Sequence, residues 1–222
     1  MNEDRSDFLR RLHAQRVWDV ELPAFDPGAA PAEPLALFRS WFAEAVDAGQ
    51  TEPHTMTLAT VDAYGHPDVR TLMLHDADEV GWHFGTHVTS AKGHQLAAHP
   101  HGALNFYWPA QGRQVRVRGP VTLRSAAESL ADLHAHSTGA LASALVGRQS
   151  EVLDSYDDLV REFEAAWERA RAEPEADAPS WRLYVVTPRE VEFFQGEARR
   201  RHVRLRYRRP GDGPWTRELL RP

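Results

Sequence analysis

The apolar positions along the chain change period several times. Between Pro34 and Gly49, the residues Phe38, Trp41, Phe42, Ala45 and Val46 recur at the spacing of one helix face. Pro34 suits a first helical turn and Gly49 a stop. From His54 the pattern shortens to extended runs separated by turns. His54–Val61, Asp68–His75, Gly81–Thr86, Gly102–Trp108 and Gln114–Arg124 read as strands, the first two joined by a turn over 62–67. Ser90–His99 reads as a short helix ended by Pro100. Residues 125–136 and 154–172 return to helical spacing, the second with Leu159, Phe163, Ala166, Trp167 and Ala170 on one face. Strands resume at Trp181–Thr187, Val191–Phe194, Val203–Arg208 and Trp215–Leu220, with Pro210-Gly211-Asp212-Gly213 as a hairpin turn. Residues 1–33, charged and then rich in Pro and Ala, read as a loosely ordered, flexible segment ahead of one domain over 34–222. A meander of this spacing closes naturally into a barrel, so the predicted class is α+β, mainly antiparallel barrel with inserted and flanking helices.

Composition narrows the chemistry. The 222 residues are 42% hydrophobic, enough for a sizeable core. The absence of cysteine excludes disulfides, a thiol nucleophile and Cys-based zinc sites. No apolar run reaches the roughly 18 residues needed to span a bilayer. The charged N-terminus lacks the apolar stretch of a signal peptide, so a soluble cytoplasmic protein is expected. A net charge of −6 disfavours general nucleic-acid binding. Of the 26 basic residues only Lys92 is a lysine, which fits a compositional bias toward arginine and singles Lys92 out.

Several residues can carry chemistry. On the strand 68–75, Arg70 shares a face with Leu72 and Leu74, whereas Val69, Thr71 and Met73 point the other way. An arginine on a partly apolar face needs a partner, either a salt bridge or an anion. Residues 86–93 run from a strand end through Thr86, Thr89 and Ser90 into a helix start that includes Lys92, offering hydroxyls, backbone N–H groups and an ammonium to a phosphate, or simply a helix cap. His134 and His136 are two apart on a helix and His99 and His101 flank a proline. No carboxylate–histidine set at ligand spacing stands out, so no metal is expected. Residues 199–209 hold seven arginines, with Arg204, Arg206 and Arg208 on one strand face. A solvated face, an anion pocket and an RNA-binding strip all fit that spacing.

Taken together, these segments resemble the pyridoxine (pyridoxamine) 5′-phosphate oxidase family of FMN flavoproteins, from about Glu33 to the end. The resemblance lies in EPLALFRSWFAEAVDAG, MTLATVDAYGHPDVRTLMLHD, FGTHVTSAKGHQL, GRQVRVRG, RQSE, VEFFQGEARRRHVRLRY and the terminal LLRP. It implies a split β-barrel (the FMN-binding split barrel) and a homodimer with two FMN sites at its interface. Arg70 and Lys92 then correspond to cations on the FMN phosphate, Thr86 to a threonine beside them, and Arg70, Thr71, Leu72 and Leu74 to the strand along the flavin. Gln114 corresponds to a glutamine reading the ring's polar edge, and Gln149 and Ser150 to a Gln-Ser pair of the site. Arg204 corresponds to a C-terminal arginine, and Phe194 stands where the family usually has tryptophan. Ala91 replaces a family arginine.

The substrate side departs from the pattern. His75 stands in place of a lysine. Asp132, His136 and Ala140 stand where vitamin-forming members hold the substrate phosphate with tyrosine, arginine and serine. Arg200 and His202 keep the family's Arg-x-His, implied to position substrate and handle a proton. The expectation is an FMN-dependent oxidase passing hydride from a reduced ring, amine or alcohol to the flavin and then to O2. The THxxSxKG and RQSE details also resemble the phenazine-biosynthetic branch. An ordinary pyridoxine phosphate oxidase, a non-catalytic flavin- or haem-binding split barrel, and RNA binding through the arginine strip remain alternatives.

Overall fold

The computed structural model describes residues 2–18 and 20–222. Its helices are α1 (Asn2–Ala14), α2 (Pro34–Asp47), α3 (Ala91–Ala98), α4 (Ala126–Ala135), α5 (Thr138–Val146) and α6 (Tyr156–Ala172). Its strands are β1 (Thr55–Val61), β2 (Pro67–Met73), β3 (Asp76–Ala77), β4 (Trp82–His87), β5 (His101–Trp108), β6 (Arg113–Leu123), β7 (Trp181–Val186), β8 (Glu190–Gln195), β9 (Val203–Arg208) and β10 (Thr216–Leu219).

All strand pairings are antiparallel, in the order β10-β9-β8-β6-β5-β1-β2, with β3, β4 and β7 branching from β6. The long β6 makes the curl possible. Its first part pairs with β8, up to Arg118 opposite Glu190, and its last part pairs with β7, from Val121 opposite Val186. Between them sits Gly119, where an added Cβ would lie 1.9 Å from the carbonyl oxygen of Thr187. Only a residue without a side chain lets β6 pass between the two sheets there. The result is the α+β split barrel of antiparallel strands that the sequence predicts.

The curled sheet closes on an aromatic core. Phe38 and Trp41 of α2 pack edge-on against Phe106, Trp82 and Phe193 at ring distances of 5.0, 5.4 and 5.2 Å. The Trp108 indole N–H donates to the Pro53 carbonyl at 2.9 Å, so this buried tryptophan satisfies its one donor. A second cluster joins Leu133 of α4, Leu141, Ala142 and Ala144 of α5, and Ala166 and Ala170 of α6.

Three differences from the sequence reading have physical reasons. Residues 1–33, expected to be loosely ordered, carry α1 and then a stretch docked on the barrel. There the Tyr207 hydroxyl donates to the Pro31 carbonyl at 2.8 Å, and Phe25 packs edge-on to Trp41. The helix α1 is polar and supported by i,i+3 and i,i+4 pairs from Asp7 to Arg10 and Arg11. The helix α5 escapes the pattern because its residues, TGALASALV, are small or apolar on every side. The two-residue strand β3 is too short to show a period.

Candidate functional site

The expected phosphate residues gather at the start of α3. Ser90 caps that helix, its hydroxyl accepting from Gly93 N–H at 3.2 Å. An added Cβ on Gly93 would lie 2.4 Å from the Val88 carbonyl oxygen, so the turn into α3 closes tightly. Lys92 folds back inside and is only 6% exposed. Its Nζ donates to Gln149 Oε1 at 2.8 Å and to Thr86 Oγ1 at 3.2 Å. The loop after α5 delivers Gln149 by holding Gly147, Arg148 and Ser150 at positive φ, strain that non-glycine residues bear mostly at functional sites. Ser150 Oγ accepts from the backbone N–H of Ala91 at 3.2 Å. Arg70 reaches the same region from β2, donating to Gln95 Oε1 at 2.9 Å and pairing with Asp68 at 2.6 Å.

The electrostatics of this group are unbalanced. Burial, and then the nearby Arg70 guanidinium, pull the Lys92 ammonium down to about 8, with Asp68 opposing. Burial and the Lys92 charge likewise hold His87 below its usual value, in the neutral form. Among the described residues every hydrogen-bond partner of Lys92 is an uncharged hydroxyl or amide. A buried ammonium with no contacting carboxylate, a second cation beside it and a capped helix start fit a dianionic phosphate well.

A second group lies on one rung of the sheet. Gln114 on β6 is opposite Phe194 on β8, which is opposite Arg204 on β9. The His202 ring lies 5.1 Å from Phe194, and Trp18 packs on both at 5.0 and 6.0 Å. His202 Nδ1 accepts from the Glu197 N–H at 3.1 Å, which leaves Nε2 to carry the proton of the neutral ring. Arg200 is exposed, with φ of 66°. Arg204 donates to Glu192 at 2.8 Å and to the Arg221 carbonyl at 3.1 Å. The neighbouring rungs explain the arginine strip. Arg206 lies between Glu192 and Glu218, and Arg208 lies opposite Glu190, so the β9 part of the strip is a charge-compensated ladder and not a free basic surface. Burial pushes the Glu192 carboxyl up, but Arg204 and Arg116 outweigh it and hold it below its usual range. Among the described residues no hydrogen bond, ion pair or ring contact joins this rung to the Lys92 group.

A third group was only half expected. His75 and His136 do meet, with His136 Nε2 3.0 Å from His75 Nδ1, but Asp132 completes the set at 2.8 Å from the same nitrogen. Leu72 on β2 and Leu74 just beyond it pack toward the main core with Arg70 half-buried on the same face, while Thr71 is exposed on the other. Trp18 and Asp132 were missed as neighbours of the expected residues. Trp18 belongs to a segment with no period, and Asp132 is drawn to His75 across 57 residues.

The curled barrel, the phosphate-fitting cradle and the amide–aromatic rung together define a split barrel of the flavoprotein kind. A model described as pyridoxamine 5′-phosphate oxidase matches residues 42–170, and one described as the pyridoxine 5′-phosphate oxidase C-terminal dimerisation region matches 181–222. A pyridoxine/pyridoxamine 5′-phosphate oxidase of Pseudomonas paraeruginosa is 44% identical over 196 residues, covering 87% of this chain and 90% of the relative. The crystal structure of PhzG from Burkholderia lata 383, in complex with tetrahydrophenazine-1-carboxylic acid, superposes with a TM-score of 0.83 at 29% identity, covering 92% of this chain and 98% of that one. A pyridoxamine 5′-phosphate oxidase-related FMN-binding protein of Nostoc punctiforme shares the fold, with a TM-score of 0.69 at 23% identity over 89% of this chain and 100% of that one. The chain therefore belongs to the pyridoxamine 5′-phosphate oxidase family and is a flavin-dependent oxidoreductase. No helix among the described residues is long and apolar enough to cross a membrane.

Proposed function

We propose that this protein is an FMN-dependent oxidase of a reduced ring substrate that is not a phosphate ester, as in phenazine-type oxidation. The observation that carries the flavin part is Lys92, a buried ammonium held only by neutral groups beside Arg70. Arg70, Thr86, Lys92, Gln149 and Ser150 would hold the FMN phosphate, and Leu72 and Leu74 would lie along the ring. Gln114, with a donor and an acceptor on one amide, suits the polar edge of the isoalloxazine. Phe194 supplies an aromatic face for stacking, and Arg204 a cation on the same rung.

The chain works as a homodimer in this reading. Among the described residues no hydrogen bond, ion pair or ring contact joins cradle and rung within one chain, and Phe194, His202 and Arg204 all fall in the region matched as the dimerisation segment. A cradle from one copy and a rung from the other would then enclose each FMN. FMN, when bound, supplies a two-electron acceptor that takes hydride and is reoxidised by O2. The His202 Nε2 proton and the Arg200 guanidinium orient the substrate's polar groups at the rung. The Trp18, Phe194 and His202 rings pack together there and exclude water from that wall.

The residues at the expected substrate side support this substrate class. Where the phosphate-binding members it resembles carry a lysine, a tyrosine and an arginine, this chain presents His75, Asp132 and His136, and an uncoordinated Asp carboxylate repels a phosphate monoester. The solved PhzG complex with a tetrahydrophenazine acid supports a reduced tricyclic substrate. The 44% identity to pyridoxine/pyridoxamine 5′-phosphate oxidases favours a second reading, turnover of vitamin B6 phosphates. Purified protein is expected to be yellow and to consume O2 with a reduced phenazine carboxylic acid. A colourless protein that does not bind added FMN sinks the flavin reading. Brisk turnover of pyridoxamine 5′-phosphate, with none of the phenazine, overturns the substrate reading in favour of the second.

A further inference from the structure

We infer that His75, Asp132 and His136 form a site for one divalent transition-metal ion, of which Zn2+ is the type. The inference stands on this cluster alone and not on the flavin reading. His75 Nδ1 faces Asp132 Oδ2 at 2.8 Å and His136 Nε2 at 3.0 Å, and His136 Nε2 lies 3.6 Å from Asp132 Oδ1. One imidazole nitrogen carries either one hydrogen or one lone pair, so it cannot donate to the carboxylate and also accept from the second imidazole. Protein protons alone therefore serve both contacts only through one hydrogen shared between Asp132 and His136, a weaker three-centre arrangement. A cation at the centre satisfies all three lone pairs together. The donor atoms all lie within 4.8 Å of one another, and their separations bracket the roughly 3.3 Å expected between tetrahedral ligands with metal bonds of about 2.0–2.1 Å.

The ligands are held in place before any ion arrives. The His75 N–H donates to the His83 carbonyl at 2.9 Å, tying the end of β2 to β4. Its ring stacks over Trp181 at 28°, and an added Cβ on Gly85 would come within 2.8 Å of its Cε1. The ring sits in a slot that bare glycine leaves open. Asp132 and His136 lie one turn apart, at i and i+4, on and just beyond the end of α4, so both project to the same side. Two imidazoles and a carboxylate are the donor set of borderline divalent ions, and three protein ligands leave a position open. Without metal the cluster presents a carboxylate and repels an anion. Occupied, it would take water or an acidic oxygen of a ligand at that open position.

The test is metal binding by the untagged protein as purified, washed free of metal with a chelator and titrated calorimetrically with Zn2+. One Zn2+ per chain is expected, with a micromolar or tighter Kd and a matching metal content by atomic emission. Asp132→Ala and His136→Ala should each weaken that binding by about 100-fold or more. His94→Ala, at an exposed histidine of α3, should leave it unchanged. Far-UV circular dichroism and melting curves check folding, and Asp132→Asn with His136→Gln replace either alanine variant that fails to fold. No saturable uptake by the wild type, or uptake that survives loss of both Asp132 and His136, overturns the proposal. Either result leaves the FMN spectrum, and so the flavin reading, unaffected.

Discussion

Gln149 Oε1 accepts a hydrogen bond of 2.8 Å from Lys92 Nζ although 57 residues separate them in the chain. The loop at positive φ that carries Gln149 is strained where it makes this contact, and the contact gives the ammonium a neutral rather than an anionic partner. Lys92 is thereby held in place with its charge uncompensated. Lys92→Ala is expected to raise the FMN dissociation constant about 10- to 100-fold, the range of a charge-assisted hydrogen bond worth about 1.5–3 kcal/mol. Arg208→Ala, on the compensated ladder, should change it less than about 3-fold. Flavin fluorescence titration of both variants decides, and equal effects would reduce Lys92 to a buried structural cation.

The pH dependence follows from the sign of the Lys92 shift. Its ammonium titrates at about 8 in the folded chain against 10.5 when unfolded. The cost of charging it is therefore present below about 8 and is relieved as pH rises toward 10.5. A bound phosphate reverses that preference by favouring the ammonium. FMN affinity should accordingly be full below about 8 and fall as pH rises beyond it, in a titration of wild type that Lys92→Ala flattens. A profile that stays level through pH 9.5, or that Lys92→Ala leaves unflattened, would count against the assignment.

Glu192 sits 3% exposed between Arg116 and Arg204. Glu192→Ala leaves two guanidiniums facing each other across the rung. Both arginines reach solvent, so the loss of stability is expected to be about 1–3 kcal/mol in urea unfolding rather than the larger cost of a fully buried pair. The depressed carboxyl contributes stability above its unfolded value that disappears as pH falls through the folded one. The difference between wild type and Glu192→Ala should therefore narrow on acidification. A gap that widens would contradict the pairing.

Gly119→Ala should be among the most damaging single-methyl additions. The new Cβ would meet the Thr187 carbonyl oxygen at 1.9 Å, and the other nearest atoms are also backbone, of Thr187 and Arg189. Overpacking of this kind costs about 1–3 kcal/mol or more, because neither strand can retreat without losing its ladder. Gly65→Ala is strained by its φ of 89° but has open space around it, so it should cost less. Comparable losses in urea unfolding would show that β6 does not need the close approach.

Much of this protein was legible along the chain because local periods report local geometry. The face of α2, the alternation of β1, β2 and β9, and the stop at Pro100 each follow from residues a few positions apart. The ordered set of motifs was enough to identify the family, and through it Arg70, Thr86, Lys92, Gln149 and Ser150 were named before their contacts were known. Two elements stayed hidden where the signal itself is absent. The helix α5 has no polar face to set a period, and β3 is two residues long.

The tertiary structure decided what no spacing carries, namely which distant residues share an environment. It turned the arginines of β9 from a candidate basic surface into a ladder, because the register of β8 against β9 sets glutamates opposite Arg206 and Arg208, and Arg204 reaches Glu192 diagonally. It brought Asp132 and His136, on and just beyond the end of α4, into one donor cluster with His75, just past β2, although 57 and 61 residues separate them from it; the sequence placed them on the substrate side but gave no sign that their ligand atoms meet. It also gave the one lysine its character. Composition marks Lys92 as rare, but its titration near 8 arises from burial and the nearby Arg70 charge, and those come only from folding.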